Sequence, residues 1–257
     1  GRTFAPNLFV PETDGSASPL FEVDGLCLKN AFADISFSVR PGEILGITGL
    51  LGSGRTELAK SLFGLFPSDS GTIRIGGRGV KISSPREAVR NKIAYVPEDR
   101  LTEGLFLRQP IRENLVIANI DNMLRSDRTL DGGKIDEHVK HWRRELEITM
   151  NAPEDPISTL SGGNQQKVVL GKWLDIEPSV LILNGPTVGV DVGAKHDLHR
   201  YLRELAGTMR IAIVIISDDI PEVIENCNRI LVMKGGRLCG EIRNTETDER
   251  ALLEAII

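Results

Sequence analysis

The amino-acid sequence predicts an α/β protein with a parallel core sheet and a helical insert. Three observations carry that reading. A short mixed strand at 44–49 passes through a glycine-rich loop into a helix starting near Arg55. Two continuous apolar runs, at 180–183 and 211–216, are bounded by Pro, Gly and Asp, as suits central strands covered on both faces. Between 108 and 177 the chain turns charged, helical in character and rich in Leu, Arg and Glu, which reads as an insert within the α/β core.

The elements follow in chain order. Residues 1–19 hold Pro6, Pro11, Pro19, Gly15, Ser16 and Ser18, a linker composition. The chain opens Gly1-Arg2 without Met or a signal-peptide pattern, so it reads as cut from something longer. Short strands are expected at 21–23, 35–39, 44–49, 71–75 and 93–96. A hairpin is expected over 229–243 around Lys234-Gly235-Gly236, and an amphipathic helix over 248–257. No internal repeat is visible. The expected organisation is a linker at 1–19 and one domain at 20–257, with a helical subdomain at about 108–177.

Composition bounds the class. A chain of 257 residues with 40% hydrophobic content buries a sizeable core. The formal net charge of -5, unbroken by any basic cluster, argues against a nucleic-acid partner. Cys27, Cys227 and Cys239 lie far apart without a CxxC pair, so they read as reduced thiols. No apolar run reaches the ~18 to 20 residues of a spanning helix, and any membrane role falls to a partner.

Two motifs carry chemistry. The first is Gly49-Leu50-Leu51-Gly52-Ser53-Gly54-Arg55-Thr56. Its glycines let backbone N–H groups converge on phosphate oxygens, and the helix behind them adds its positive end. Thr56 supplies a hydroxyl suited to Mg²⁺, and Arg55 stands where lysine is usual, with a planar head of different donor geometry. A dinucleotide-binding GxGxxG fails because Glu57 occupies the third glycine position. The second motif, Leu160-Ser161-Gly162-Gly163-Asn164-Gln165-Gln166-Lys167, offers a hydroxyl and flexible amides at a helix start. As a bare string it is also an ordinary N-cap with Ser161 capping. Its place, about twenty residues before the run at 180–183, decides between the two.

With these motifs in place the sequence resembles the ABC ATPases, whose signature reads LSGGQ and whose Walker B strand follows at this distance. The LSGGNQQK form is similar to ribose- and galactose-type sugar importers, whose ATPase subunit carries two fused cassettes. Gly42-Glu43-Ile44-Leu45-Gly46, Tyr95-Val96-Pro97-Glu98-Asp99-Arg100 and Gly189-Val190-Asp191-Val192-Gly193-Ala194-Lys195 add to the likeness. Arg55 and the PEDR segment resemble the second, C-terminal cassette, and Gly1-Arg2 resembles the junction after the first. The resemblance implies a P-loop fold with a RecA-like core sheet, an antiparallel β subdomain and a helical signature subdomain. It implies ATP contacts at Gly49, Gly52, Ser53, Gly54, Arg55, Thr56, Glu57 and Glu98, and Mg²⁺ at Thr56, Glu98 and Asn184. Ser161, Gly162, Gly163, Asn164 and Gln165 would act in trans on a partner cassette's nucleotide. The implied partners are a second cassette, membrane permease subunits and, indirectly, an extracytoplasmic sugar-binding protein. The implied location is the cytoplasmic face of the cell membrane.

The chain departs from the family at the catalytic positions. Where Walker B ends in Asp-Glu, this sequence reads Leu183-Asn184-Gly185. Asn184 brings no negative charge to a metal. Gly185 has no side chain, and losing a positioned base forfeits ~10²- to 10⁴-fold in rate. Glu98 takes the Q-loop position. Asp218 takes the switch-histidine position, where an acid is expected to repel a γ-phosphate. Together Arg55, Asn184, Gly185 and Asp218 read as a site that binds nucleotide and hydrolyses it poorly; the alternative is a non-hydrolysing regulatory module. The pairs His196/His199 and His138/His141 read as solvated helical faces rather than metal sites, and Trp173 as core. Phe32 is the nearest candidate for adenine stacking.

Overall fold

The computed structural model describes residues 16–243 and 249–256. Most of the expected linker, and both ends of the helix expected at 248–257, lie outside them. The chain divides into two compact units. One takes in the described residues up to Tyr95, Ser179–Gly185 and those from His199 on; the other takes in Val96–Pro178 and Pro186–Leu198. Among the described residues no helix is long and apolar enough to cross a membrane.

In the first unit, β1 (Phe21–Leu28), β2 (Phe32–Val39), β4 (Ser70–Ile75) and β5 (Arg78–Val80) form an antiparallel sheet ordered β2-β1-β4-β5. The strand expected at 21–23 is eight residues long. β5 escaped notice because three residues, with Arg78 and Gly79 exposed, carry no periodicity. The second sheet runs β10-β9-β3-β8-β7-β6, built from β3 (Ile44–Thr48), β6 (Ile93–Val96), β7 (Val180–Asn184), β8 (Ala212–Ile216), β9 (Arg229–Lys234) and β10 (Arg237–Arg243). β9, β3, β8 and β7 are mutually parallel, and β10 turns back antiparallel on β9, which makes the sheet mixed. Every residue of β3, β7 and β8 is buried, which is why those strands read as unbroken apolar runs. The register aligns Ile47 with Ile216 and Ile216 with Asn184. The loops leaving β3, β8 and β7 therefore emerge side by side, with strands ~4.8 Å apart. The helices of this unit include α1 (Arg55–Leu62), α2 (Pro85–Arg90), α7 (Ile220–Asn226) and α8 (Glu249–Ile256). Ser84 caps α2 by accepting from the Glu87 N–H, and Asp219 caps α7 by accepting from the Glu222 N–H at 3.2 Å.

The second unit is helical. It carries a π-helical turn at Arg100–Gly104, then α3 (Ile111–Val116), α4 (Gly132–Glu145) and α5 (Gly162–Leu174), with the opening residues of α6 (Val192–Met209). It takes in 96–107 and 186–198 as well as the stretch expected at about 108–177. Ile111, Leu115, Met123, Ile157, Val168 and Val169 are fully buried in it. Beside that core the Asp175 carboxylate accepts from Trp142 Nε1 at 2.7 Å, Asn119 Nδ2 at 3.1 Å and His138 Nδ1. A buried charge is tolerated when donors surround it in this way.

Candidate functional site: a phosphate loop and a separate signature helix

The site in the first unit starts where β3 ends. Gly49 is buried, Leu50 to Gly52 are exposed, and Gly54 caps α1 with φ at +93°. A side chain at Gly54 would meet the Ala31 carbonyl at 2.6 Å, so only glycine lets the loop enter α1 this close to the turn after β1. The Ser53 N–H donates to the Leu50 carbonyl at 3.0 Å, and the Gly236 N–H donates to the Ser53 carbonyl at 3.0 Å. The loop is thereby tied to the β9–β10 hairpin. Thr48 and Ser53 are buried, and neither hydroxyl has a protein partner among the described residues. Orphaned hydroxyls inside a cradle of glycines suit a phosphate. Thr56 and Glu57 follow, each half-buried on the first turn of α1.

Arg55 folds back against the start of the loop. Only 8% of its side chain is exposed; Nη1 donates to the Gly49 carbonyl, and Nη2 pairs with Asp218 Oδ2 at 2.9 Å. This corrects the expectation that Asp218 simply adds repulsion: its charge is met by a guanidinium. Asp218 follows β8 on a turn held from below. Ser217 Oγ donates to Glu222 Oε2 and accepts from the Asp219 N–H at 3.1 Å, while His199 Nε2 lies 3.0 Å from Glu222 Oε1. His199 is 7% exposed, so the reading of a solvated histidine face fails there. The spacing put it on the inner face of α6, which the histidine pattern alone did not reveal.

At the end of β7, Asn184 is buried and its Nδ2 has no protein partner among the described residues. Gly185 has φ at +55°, and its N–H donates to the Ile216 carbonyl at 2.7 Å. The donors of this unit fit nucleotide phosphates. For a divalent cation they offer the neutral oxygens of Thr56 and Asn184, with Asp218 committed to Arg55. That set suits a cation carried in by phosphates and not one held by protein alone. Among the described residues no cluster of three or more His, Cys, Asp or Glu side chains could hold a metal. Phe32 is 4% exposed and pairs with Leu28 across the turn. It belongs to the core, and the expectation that it presents a stacking ring is corrected.

In the second unit, Ser161 caps α5. Its Oγ accepts from the Asn164 N–H at 3.4 Å and from Asn164 Nδ2 at 3.0 Å. Ser161 is exposed, and Gly162, Gly163 and Asn164 are half-buried. Gln165 departs from the expected role: it is 8% exposed, and its Nε2 donates to the Ile157 carbonyl at 3.5 Å, so it serves packing. Glu98 is exposed in this unit. Its neighbour Asp99 caps the π-helical turn, accepting from Thr102 Oγ1 at 2.7 Å and from the Leu101 N–H at 3.0 Å. Those bonds hold the Asp99 carboxyl below its usual range. Arg100 was missed as a site residue. Its guanidinium donates to the Val188 and Gly189 carbonyls at 2.8 and 3.1 Å and sits over Gly162, where an added Cβ would lie 2.8 Å from Nη2. Asp191 caps α6 through the Ala194 N–H at 3.0 Å.

A parallel-centred sheet with a glycine loop between β3 and α1, an antiparallel sheet and a helical unit opening α5 on a capped Ser-Gly-Gly define an ABC-type ATPase cassette. Solved structures share that fold. Against cbiO1 from Clostridium perfringens, described as part of the ABC transporter complex cbiONQ, the TM-score is 0.73 at 23% identity, covering 92% of this chain and 91% of that one. Against the ADP conformation of MJ1267, an ATP-binding cassette of an ABC transporter, it is 0.78 at 20% identity, covering 93% and 98%. The ABC transporter family model matches residues 32–188, and the chain belongs to that family. Among curated relatives, the ribose import ATP-binding protein RbsA of Rhodococcus jostii is 41% identical over 236 residues, 92% of this chain and 46% of its own length. A provisionally named ribose/galactose/methyl galactoside import ATP-binding protein of Agrobacterium fabrum is 44% identical over 258 residues, 98% of this chain and 50% of its own. The chain thus spans about half the length of the curated relatives it matches.

Proposed function

We propose that this chain is the ATP-binding cassette of a sugar ABC importer, that its own phosphate-loop site binds ATP but hydrolyses it poorly, and that its signature completes a partner cassette's site. The observation that carries the reading is an asymmetry. The signature keeps its exposed Ser161 cap on α5, while the general-base position is Gly185, without a side chain and at φ +55°. In this reading the backbone of Gly49, Gly52, Ser53 and Gly54 and the Thr56 hydroxyl hold the phosphates. Mg²⁺ enters with the nucleotide and neutralises phosphate charge, with Thr56 and Asn184 as neutral oxygens; Glu98, in the second unit, is the sequence-motif candidate for a further metal contact. No group stands at Gly185 to take a proton from water.

Paired head to tail, two cassettes each lend a signature to the other's ATP. Loss of charge at Asn184 and of the base at Gly185 then leaves the partner's hydrolysis intact, whereas loss of Ser161 removes a preorganised donor worth ~10²-fold or more. Arg55 and the segment from Glu98 to Arg100 support placing this cassette second of two, after a linker at 1–19, with residues 20–257 as the ATP-binding domain. The names of the relatives support a sugar, brought by a binding protein and passed by permease subunits at the cytoplasmic face of the membrane. The test is sugar-stimulated ATPase of the complete transporter in membranes. Ser161→Arg abolishes turnover and Thr56→Ala leaves most of it; the opposite ranking means that the loop at 49–56 does the chemistry.

A further inference from the structure

Arg55 and Asp218 are both departures from the family pattern, and they meet each other. Both terminal nitrogens of the Arg55 guanidinium are committed, Nη1 to the Gly49 carbonyl within the phosphate loop and Nη2 to Asp218 Oδ2 at 2.9 Å. The acid is held in place rather than placed by chance. The buried chain from His199 through Glu222 to Ser217 fixes the turn on which it stands, and the Ser217 N–H donates to the Ile47 carbonyl of β3 at 3.1 Å. Asp218 itself is 65% exposed at its side chain, so it faces the same solvent as the loop.

A carboxylate and a phosphate oxygen compete for the same planar guanidinium donors. We propose that Asp218 is an internal anion that occupies Arg55 in place of a terminal phosphate, so that this site takes ADP nearly as well as ATP. The proposal rests on the nucleotide-binding reading above and adds its selectivity. ATP gains over ADP where a free cation meets the third phosphate. Here that cation is already neutralised, and Asn184 and Gly185 add no charge. The terminal phosphate must displace Asp218 and then lie beside it, which cancels most of what the extra contact contributes.

The test titrates the purified 257-residue chain with fluorescent methylanthraniloyl ATP and ADP. Unmodified protein should bind the two within about threefold of each other. Asp218→Asn, which keeps a neutral acceptor oxygen for Arg55 and whose fold is checked by circular dichroism, should tighten ATP about fivefold and ADP less than twofold, in line with a part-exposed charge pair. Equal tightening of both nucleotides by Asp218→Asn overturns the proposal, as does an unmodified chain that prefers ATP tenfold. Absence of binding of either nucleotide, in unmodified chain and variants alike, overturns the nucleotide-site reading along with it.

Discussion

On the proposed reading, the backbone at Gly185 sets what a side chain introduced there costs. Its φ of +55° lies in the left-handed region, where a residue with a Cβ pays ~1–2 kcal/mol. Its N–H donates to the Ile216 carbonyl at 2.7 Å, so the conformation is anchored by the sheet edge rather than free to relax. Gly185→Ala should therefore lower stability by ~1–2 kcal/mol, a fall in melting temperature of ~2–8 °C for a chain of this size. The sign is diagnostic, because alanine at a glycine in ordinary backbone stabilises by ~0.4–1 kcal/mol. A positioned base is worth ~10²- to 10⁴-fold in rate, and the strain is carried in ground and transition state alike. Asn184→Asp with Gly185→Glu should therefore raise phosphate release by the chain ~10²-fold or more while lowering its stability. Thermal melts followed by circular dichroism and a phosphate-release assay read the two effects. A Gly185→Ala chain as stable as the original, or more so, refutes the reasoning.

Two predictions concern the second unit. Lys172 is 6% exposed, donates to the Gly104 carbonyl at 2.6 Å and lies 4.9 Å from the Trp173 ring centre. Burial pushes its ammonium down from 10.5 to about 8. Below pH 8 both folded and unfolded chains carry the proton and the fold bears the full cost; from 8 to 10.5 the folded chain releases it first, so stability rises with pH. At about 1.36 kcal/mol per pH unit this amounts to ~3 kcal/mol. Lys172→Met should remove that rise, read from urea midpoints at pH 7 and 10; an unchanged rise refutes it. Asp175→Ala should cost ~3 kcal/mol, because the donors of Trp142, Asn119 and His138 lose their acceptor inside the unit. A loss under ~1 kcal/mol in the same urea measurement would show the cluster to be hydrated instead.

The central strands were legible because burial on both faces leaves an unbroken apolar run, as at 180–183 and 211–216. The phosphate loop and the Ser161 cap were legible because glycine spacing and a hydroxyl before Gly-Gly announce their backbone chemistry locally. What escaped depends on contacts across long sequence separations. Nothing in the string says that Arg100 reaches the carbonyls of Val188 and Gly189, or that His199 is buried against Glu222. Phe32 misled for a related reason: a ring just before a loop is as well placed to close a strand pair as to face a ligand, and burial against Leu28 decides for the first.

The same limit explains why the departures at 55 and 218 read as independent losses in the sequence. Each alone would be unfavourable in this setting. An arginine with only 8% of its side chain exposed needs an acceptor for its charge, and an aspartate beside a phosphate loop needs a cation. Together each supplies what the other lacks, at 2.9 Å. Restoring only one of them would leave the other without its partner: a histidine at 218 would strand the Arg55 charge, and an alanine at 55 would strand the Asp218 carboxylate. Positions 184 and 185 have no such tie, since among the described residues Asn184 Nδ2 has no protein partner and Gly185 has no side chain. The end of β7 thus carries no charge, whereas charge is balanced between α1 and the turn after β8.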